Sequence, residues 1–156
     1  MGDHGKRTSR GRVRLAEHGA AIARVCMALL GDAREVERVL EAVARELGAK
    51  KPADGMSDRA WVFGIVRAQC ANQLSKVPLR AVTHATGPVT ERLGAKAATP
   101  ARDGLARLKP TEREAVVLHA VGGLDVADVA LACNVDVATA RSRISQGMQK
   151  LAEGET

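Results

Sequence analysis

Apolar positions along the chain recur at intervals of three and four almost throughout. Ile22, Val25, Cys26, Leu29 and Leu30 form one series, cut by Gly31-Asp32; Val36, Val39, Leu40, Val43 and Leu47 form a second, ending at Gly48. Each is the stripe of an amphipathic helix, and a glycine just past the stripe is where a helix closes. A polar loop, Ala49 to Met56, contains Pro52 and Gly55 and leads to Ser57 and Asp58. Either of these can cap a third helix that turns Trp61, Val62, Ile65 and Val66 inward. From Val77 to Asp103 the periodicity lapses into Ala, Thr, Gly and Pro, where Pro78, Pro88 and Pro100 deny long helices. The segment reads as a tether, with Thr90 to Leu93 as one helical turn.

Periodicity returns at Leu105 together with helix-start signals. Pro110 precedes Thr111-Glu112-Arg113-Glu114, a pattern in which Thr111 and Glu114 can cap each other's backbone. The helix carries Val117, Leu118 and Val121 on one face and closes at Gly122-Gly123. Asp125 caps the next helix, Asp128 adds negative charge to its first turn, and Val129 and Ala130 are its apolar side. Cys133-Asn134-Val135 turns the chain, and Asp136 caps a last helix from Val137 to about Leu151, with Val137, Ala140, Ile144 and Leu151 as its inward stripe. Two short helices joined this tightly, followed by a longer one, have the spacing of a helix-turn-helix. The outward residues of the last helix are Thr139, Arg141, Ser142, Arg143, Gln146 and Lys150, with no acid between Val137 and Ala152. Arg and Lys meet phosphates or guanine edges, and Thr, Ser and Gln bond either backbone or base, so this face suits a major groove.

The run Leu105 to Leu151 resembles the promoter-recognising C-terminal domain of bacterial RNA polymerase sigma factors, particularly the extracytoplasmic-function group. The resemblance is carried by the opening Leu108, Pro110, Glu112, Arg113 and Glu114 with Lys109 inserted, the Gly123-Leu124 turn, Asp128-Val129-Ala130, and Thr139-Ala140-Arg141-Ser142-Arg143-Ile144. It implies that Thr139, Arg141, Ser142, Arg143 and Gln146 approach the minus-thirty-five promoter element. Gln146 stands where the family usually has a base, which predicts one phosphate contact fewer and a smaller salt slope. The front half resembles the family's polymerase-binding and promoter-melting domain through Leu29 to Asp32 and Trp61-Val62-Phe63-Gly64-Ile65-Val66-Arg67. On its second helix Glu35, Arg38 and Glu41 fall on the polymerase-binding face. Arg38 and Glu41 replace the family's aspartate and glutamine, and Ala44 and Gly48 its large aromatics. Ala68, Asn72 and Ser75 replace the asparagine, aspartate and arginine that help hold a melted strand. Basic Arg59, Arg67 and Lys76 remain to touch phosphate.

Composition narrows the picture. The 156 residues include one Trp, one Phe and no Tyr, and no segment alternates with period two, so the fold expected is all-α, with a core of small aliphatics. The organisation expected is a basic arm at 1–14, a three-helix sigma-2-like domain at 15–76, a flexible tether at 77–103 and a sigma-4-like helix-turn-helix domain at 104–152. The net charge of +6 comes from the arm and the tether. Those segments attract nucleic acid or an acidic protein surface, or the arm is a solubilising tail. Cys26, Cys70 and Cys133 are odd in number and scattered, which suits core residues rather than a disulfide or zinc framework. His119 is expected on the surface, and neither a metal site nor a cofactor is expected. There is no phosphate loop, no nucleophile beside a base and no paired carboxylates in an apolar setting, so no enzyme is expected. Without a signal core or a membrane span the expected location is the cytoplasm. The function that follows is an extracytoplasmic-function-like sigma factor with promoter DNA, the β and β′ subunits of core RNA polymerase and an anti-sigma factor as partners. The alternative is a sigma-like regulator or decoy that binds DNA, polymerase or an anti-sigma factor without melting promoters.

Overall fold

The computed structural model describes residues 2–76 and 100–154, with side chains over 16–76 and 104–154. Among the described residues seven α-helices follow in order: α1 (Gly2–Leu30), α2 (Ala33–Ala49), α3 (Asp58–Lys76), α4 (Pro100–Arg107), α5 (Pro110–Val116), α6 (Val126–Cys133) and α7 (Val137–Glu153). There is no strand among the described residues, as the periodicity requires. The basic residues before Ala16 belong to α1, and the helical turn expected at Thr90 to Leu93 lies outside the described residues.

The helix ends obey local chemistry. Gly31 takes a left-handed φ of 73° to close α1, and its N–H reaches the Met27 carbonyl at 2.9 Å. A residue with a Cβ is strained there. Asp32 then accepts from the Arg34 N–H at 2.8 Å to start α2. Of the two candidate caps for α3, Ser57 is the one used: its Oγ accepts from the Ala60 N–H at 3.1 Å. Asp125 caps α6 through the Asp128 N–H at 2.8 Å, and Asp136 caps α7 through the Thr139 N–H at 2.6 Å. Between them Asn134 supplies the left-handed residue at φ 55°, with the Val135 N–H returning to the Ala130 carbonyl at 3.0 Å.

Four local expectations are corrected. The box at the start of α5 sits two residues earlier than Thr111: the Lys109 N–H donates to Glu112 Oε1 at 3.2 Å. Pro110 explains the shift, since a proline with no N–H fits the first helical position and moves the cap to Lys109. The helix α4 opens on Pro100 for the same reason, so helical structure begins inside the expected tether. Beyond Val116, residues Val117–Val121 widen into a π turn, and the Gly122 N–H reaches back five residues to Val117 O at 3.0 Å. His119 is half-buried in that turn and bonds the Leu124 carbonyl through Nδ1 at 2.7 Å, so it fastens the turn.

The two halves share one hydrophobic cluster. It runs from Ile22, Val25 and Cys26 on α1 through Val39 and Val43 on α2 and Phe63 and Val66 on α3, then across to Val117, Leu118, Leu124 and Val129. Helix α3 packs on α6, and α1 packs on the π turn. Cys26 and Cys70 are free and buried, their sulfurs 3.8 Å apart across α1 and α3, while Cys133 is half-buried. With Trp61 and Phe63 both buried, the sparse aromatics are used for packing.

Candidate nucleic-acid interface

Helix α7 is held against the body by Ala140, Ile144 and Gly147, all buried and spaced four and three apart. At Gly147 the Val116 side chain of α5 packs so closely on α7 that an added Cβ would overlap its Cγ2. Helix α7 therefore lies in the crook of α5 and α6, and its far side faces outward. Val137, expected in the inward stripe, is 43 % exposed. As the first residue after the Asp136 cap it projects past the end of the groove that receives Ala140.

The six residues expected on the outward face divide into two sets. Arg141, Ser142 and Gln146 are exposed, and Ser145 and Gln149, which the sequence reading passed over, join them on the side opposite Ala140 and Ile144. The other three are engaged by the chain itself, Arg143 and Lys150 on the flank toward α5. Thr139 is half-buried, and its hydroxyl and N–H both donate to Asp136, holding that carboxyl below its ordinary range. Arg143 is half-buried near Glu114 and Cys133. Lys150 is fixed to the chain itself: its Nζ lies 2.8 Å from Glu112 Oε1 and 3.1 Å from Oε2.

That last pair is unusual in its burial, because Glu112 is 2 % exposed. A buried carboxylate is tolerated only when its lone pairs are met. Here they meet the ammonium of Lys150 and the Lys109 N–H, and these bonds, the Lys150 bond foremost, hold the Glu112 carboxyl below its usual range. Two residues on, the Glu114 carboxyl is pushed up by burial, against the pull of Arg67, Arg143 and Arg113. Arg113 donates to the carbonyls of Leu105, Ala106 and Leu108 and so closes α4 from outside.

Residues 101–151 match the family described as Sigma-70, region 4. The C-terminal unit is thus similar to a sigma-70 region 4 domain. The chain as a whole has the fold of a sigma factor. It is similar to the sigma factor RpoE of Bartonella quintana, solved with the anti-sigma factor NepR, at 21 % identity over 92 % of this chain and 94 % of that one, with a TM-score of 0.70. It is also similar to CnrH, solved with the cytosolic domain of CnrY, at 20 % identity over 97 % of this chain and 93 % of that one, with a TM-score of 0.67. No curated protein matches.

The exposed face of α7 carries no acid from Ala138 to Leu151, in keeping with a surface that approaches phosphate. The front half offers a different surface. On α2, Arg38 and Glu41 are exposed opposite Val36, Val39 and Val43, while Glu35 is half-buried and its carboxyl is raised by burial and by Asp32. On α3, Ala68, Asn72, Ser75 and Lys76 are exposed, and the Ser75 hydroxyl bonds the Asn72 carbonyl at 2.7 Å.

Arg59 and Arg67, two of the basic residues expected near phosphate, face the region 4 domain instead. Arg59 Nη2 donates to the Gly122 carbonyl at 2.7 Å, and Arg67 Nε donates to the Ala132 carbonyl at 2.9 Å. Nothing local in the sequence signals these pairs, since their partners lie 63 and 65 residues away. No helix among the described residues is long and apolar enough to cross a membrane.

Proposed function

We propose that the chain is an extracytoplasmic-function-type sigma factor that binds core RNA polymerase through its β and β′ subunits and directs it to promoters. The observation that carries this reading is the open, acid-free face of α7 in a region 4 helix-turn-helix. On it Arg141, Ser142 and Gln146, joined by Ser145, approach the upstream promoter element, while Arg143 on the flank is placed for backbone contact when released from Glu114 and Lys150 stays on Glu112. On α2, Glu35, Arg38 and Glu41 lie on the side toward polymerase. The solved neighbours RpoE and CnrH were captured with NepR and with the cytosolic domain of CnrY. An anti-sigma factor is accordingly a third partner in this reading. Sigma factors as a family are not enzymes, and we assign no catalytic residue, cofactor or metal. The site of action is where polymerase and promoter are, the cytoplasm.

The direct test combines purified protein with core polymerase on a library of genomic fragments. Run-off transcripts from a subset of fragments are expected; binding to core without any transcript overturns the initiating role. One observation favours the alternative of a non-melting regulator. Trp61 and Phe63 are the chain's two aromatics of the Trp, Tyr and Phe class, and both are buried, so neither offers a face on which an unpaired base can stack. Permanganate reactivity of thymines near the start site separates the two readings: it appears with an initiating factor and is absent with a decoy.

A further inference from the structure

None of the chain's three cysteines takes part in the surfaces described above, yet two of them meet. Cys26 on α1 and Cys70 on α3 are 44 positions apart in sequence, and Cys70 Sγ donates to Cys26 Sγ at 3.8 Å. Their relative exposures are 0 % and 1 %. Core packing alone is served by the valines beside them, Val25 next to Cys26 and Val66 one turn before Cys70, both fully buried. What sulfur adds is chemistry. A hydrogen bond to a sulfur favours its thiolate. The bond from Cys70 accordingly holds the Cys26 thiol below its ordinary range, while giving that bond, together with burial, pushes the Cys70 thiol up. The two therefore differ as an attacking thiol differs from a resolving one. Cys133, half-buried on α6, is left over, and burial pushes its thiol up.

We propose that Cys26 and Cys70 are a peroxide-oxidisable pair that closes into a reversible disulfide, bonding α1 to α3 and prolonging the life of the folded front half. The Cys26 thiolate attacks one oxygen of hydrogen peroxide; the O–O bond breaks, hydroxide leaves with the proton that Cys26 gave up, and Cys26 carries a sulfenic acid. The Cys70 sulfur then attacks the Cys26 sulfur, loses its proton and displaces the hydroxyl as water. Both thiols and the peroxide thus become a disulfide and water, with an electron pair passing from sulfur to oxygen. The sulfurs draw together from 3.8 Å to about 2.0 Å, a step for side-chain rotation and a small shift of the helices. Helix α2 lies wholly between the two cysteines, so the bond encloses Glu35, Arg38 and Glu41 in a covalent ring. Such a ring restricts the unfolded chain and so raises resistance to unfolding and to proteolysis of opened forms. Excess thiol reopens it once peroxide is gone, the behaviour of redox-responsive disulfides in a reducing compartment. The device works whatever the α2 face binds.

The test takes the full reduced chain and the variants Cys26→Ala, Cys70→Ala and Cys133→Ala, with helicity checked by circular dichroism, and exposes them to a small excess of hydrogen peroxide. In the wild type, peptide mass spectrometry should find Cys26 joined to Cys70 and Cys133 free, with full reversal by dithiothreitol. The melting temperature should rise on the order of 10 °C on oxidation and fall back on reduction. Digestion by a protease should slow on the order of ten-fold in the oxidised form. Cys133→Ala should keep all these responses, and Cys26→Ala and Cys70→Ala should lose them. Should either of the last two fail to fold, the wild-type peptide map and melting shift decide alone. Thiols that all stay free, a sulfinic acid in place of the bond, or a bond made to Cys133 or between chains overturns the pair. A bond between Cys26 and Cys70 with an unchanged or lowered melting temperature, or with digestion no slower, overturns its stabilising role.

Discussion

Arg59 and Arg67 on α3 and Arg141 on α7 meet opposite fates. On α3, Arg59 and Arg67 are turned onto carbonyls of the chain itself, whereas on α7 Arg141 stands exposed with no ion pair among the described residues. The difference is one of position relative to helix ends. Helix α3 runs past the closing turns of two short helices, whose unpaired carbonyls attract any cation in reach. The middle of α7 has no such neighbour on its outer side. A basic residue on a helix is thus available to nucleic acid only where the fold has placed no uncapped carbonyl or buried acid beside it. Lys150 makes the same point inside the region 4 domain, since Glu112 has claimed it.

The sharpest way to break the comparison is to ask whether the halves are separable at all. Phe63 is fully buried in the cluster that both share. Phe63→Ala should cost about 3–5 kcal/mol, the usual loss for emptying a buried aromatic site. Because the cluster is common to both halves, the loss should appear in one transition. Urea unfolding followed by Trp61 fluorescence and by helicity checks this: coincident curves are expected, while a helical transition that survives after the fluorescence change marks the halves as independent.

The next largest effect concerns the outward set. Arg141→Ala should weaken binding to a cognate upstream element by about 1–3 kcal/mol if the guanidinium reads a base, and less if it meets phosphate alone. Lys150→Met should leave the salt dependence of DNA binding unchanged, because the wild-type ammonium is already neutralised by Glu112. Fluorescence anisotropy over a range of salt concentrations measures both. A flatter salt slope for Lys150→Met shows that DNA draws the lysine off its partner.

How far the sequence spoke for itself follows from the range of the forces involved. The caps Asp125 and Asp136 and the turns at Gly123 and Asn134 are decided by residues within a few positions, and all four were legible. The stripes of α1, α2 and α3 were legible because apolar period reports burial whatever lies opposite. The cap at Lys109 was misplaced because Thr111-x-x-Glu114 satisfies the same local pattern as the box actually formed, and only the preference of Pro110 for the first helical position separates them. Along the outward face, the half-burial of Thr139 and Arg143 and the pairing of the exposed Lys150 with Glu112 depend on how two helices cross, which no local pattern reports. The carbonyl contacts of Arg59 and Arg67 were invisible for the same reason, magnified by a separation of more than sixty residues.

A smaller effect tests how local the region 4 structure is. Asp125→Ala removes the side-chain acceptor for the Asp128 N–H and should cost about 1 kcal/mol, the usual loss for an aspartate cap. Since Asp128 also accepts from Ser57, a loosened first turn of α6 should in addition weaken the contact with α3. Ser57→Ala in the Asp125→Ala background then costs less than in the wild type if the two are coupled. Additive losses in thermal unfolding separate the cap from the interface.

The smallest expected effect sets two nearby carboxyls against each other. The Glu112 carboxyl is held low by Lys150, so its contribution to stability is complete above the ordinary carboxylate range and is lost as pH falls through its lowered pKa. The Glu114 carboxyl is held high by burial, so its ionised form is a cost at neutral pH, relieved as pH falls through its raised pKa. On acidification the wild-type melting temperature should therefore gain slightly as Glu114 takes up a proton, then fall when Glu112 does. Glu114→Gln should remove the first step and Glu112→Gln the last, the latter also lowering stability at neutral pH because Lys150 loses its charged partner. Thermal unfolding across the acid range resolves the two steps. An acid profile of Glu112→Gln that coincides with the wild type means Lys150 does not hold that carboxylate in solution, which returns Lys150 to the set of cations free to meet DNA.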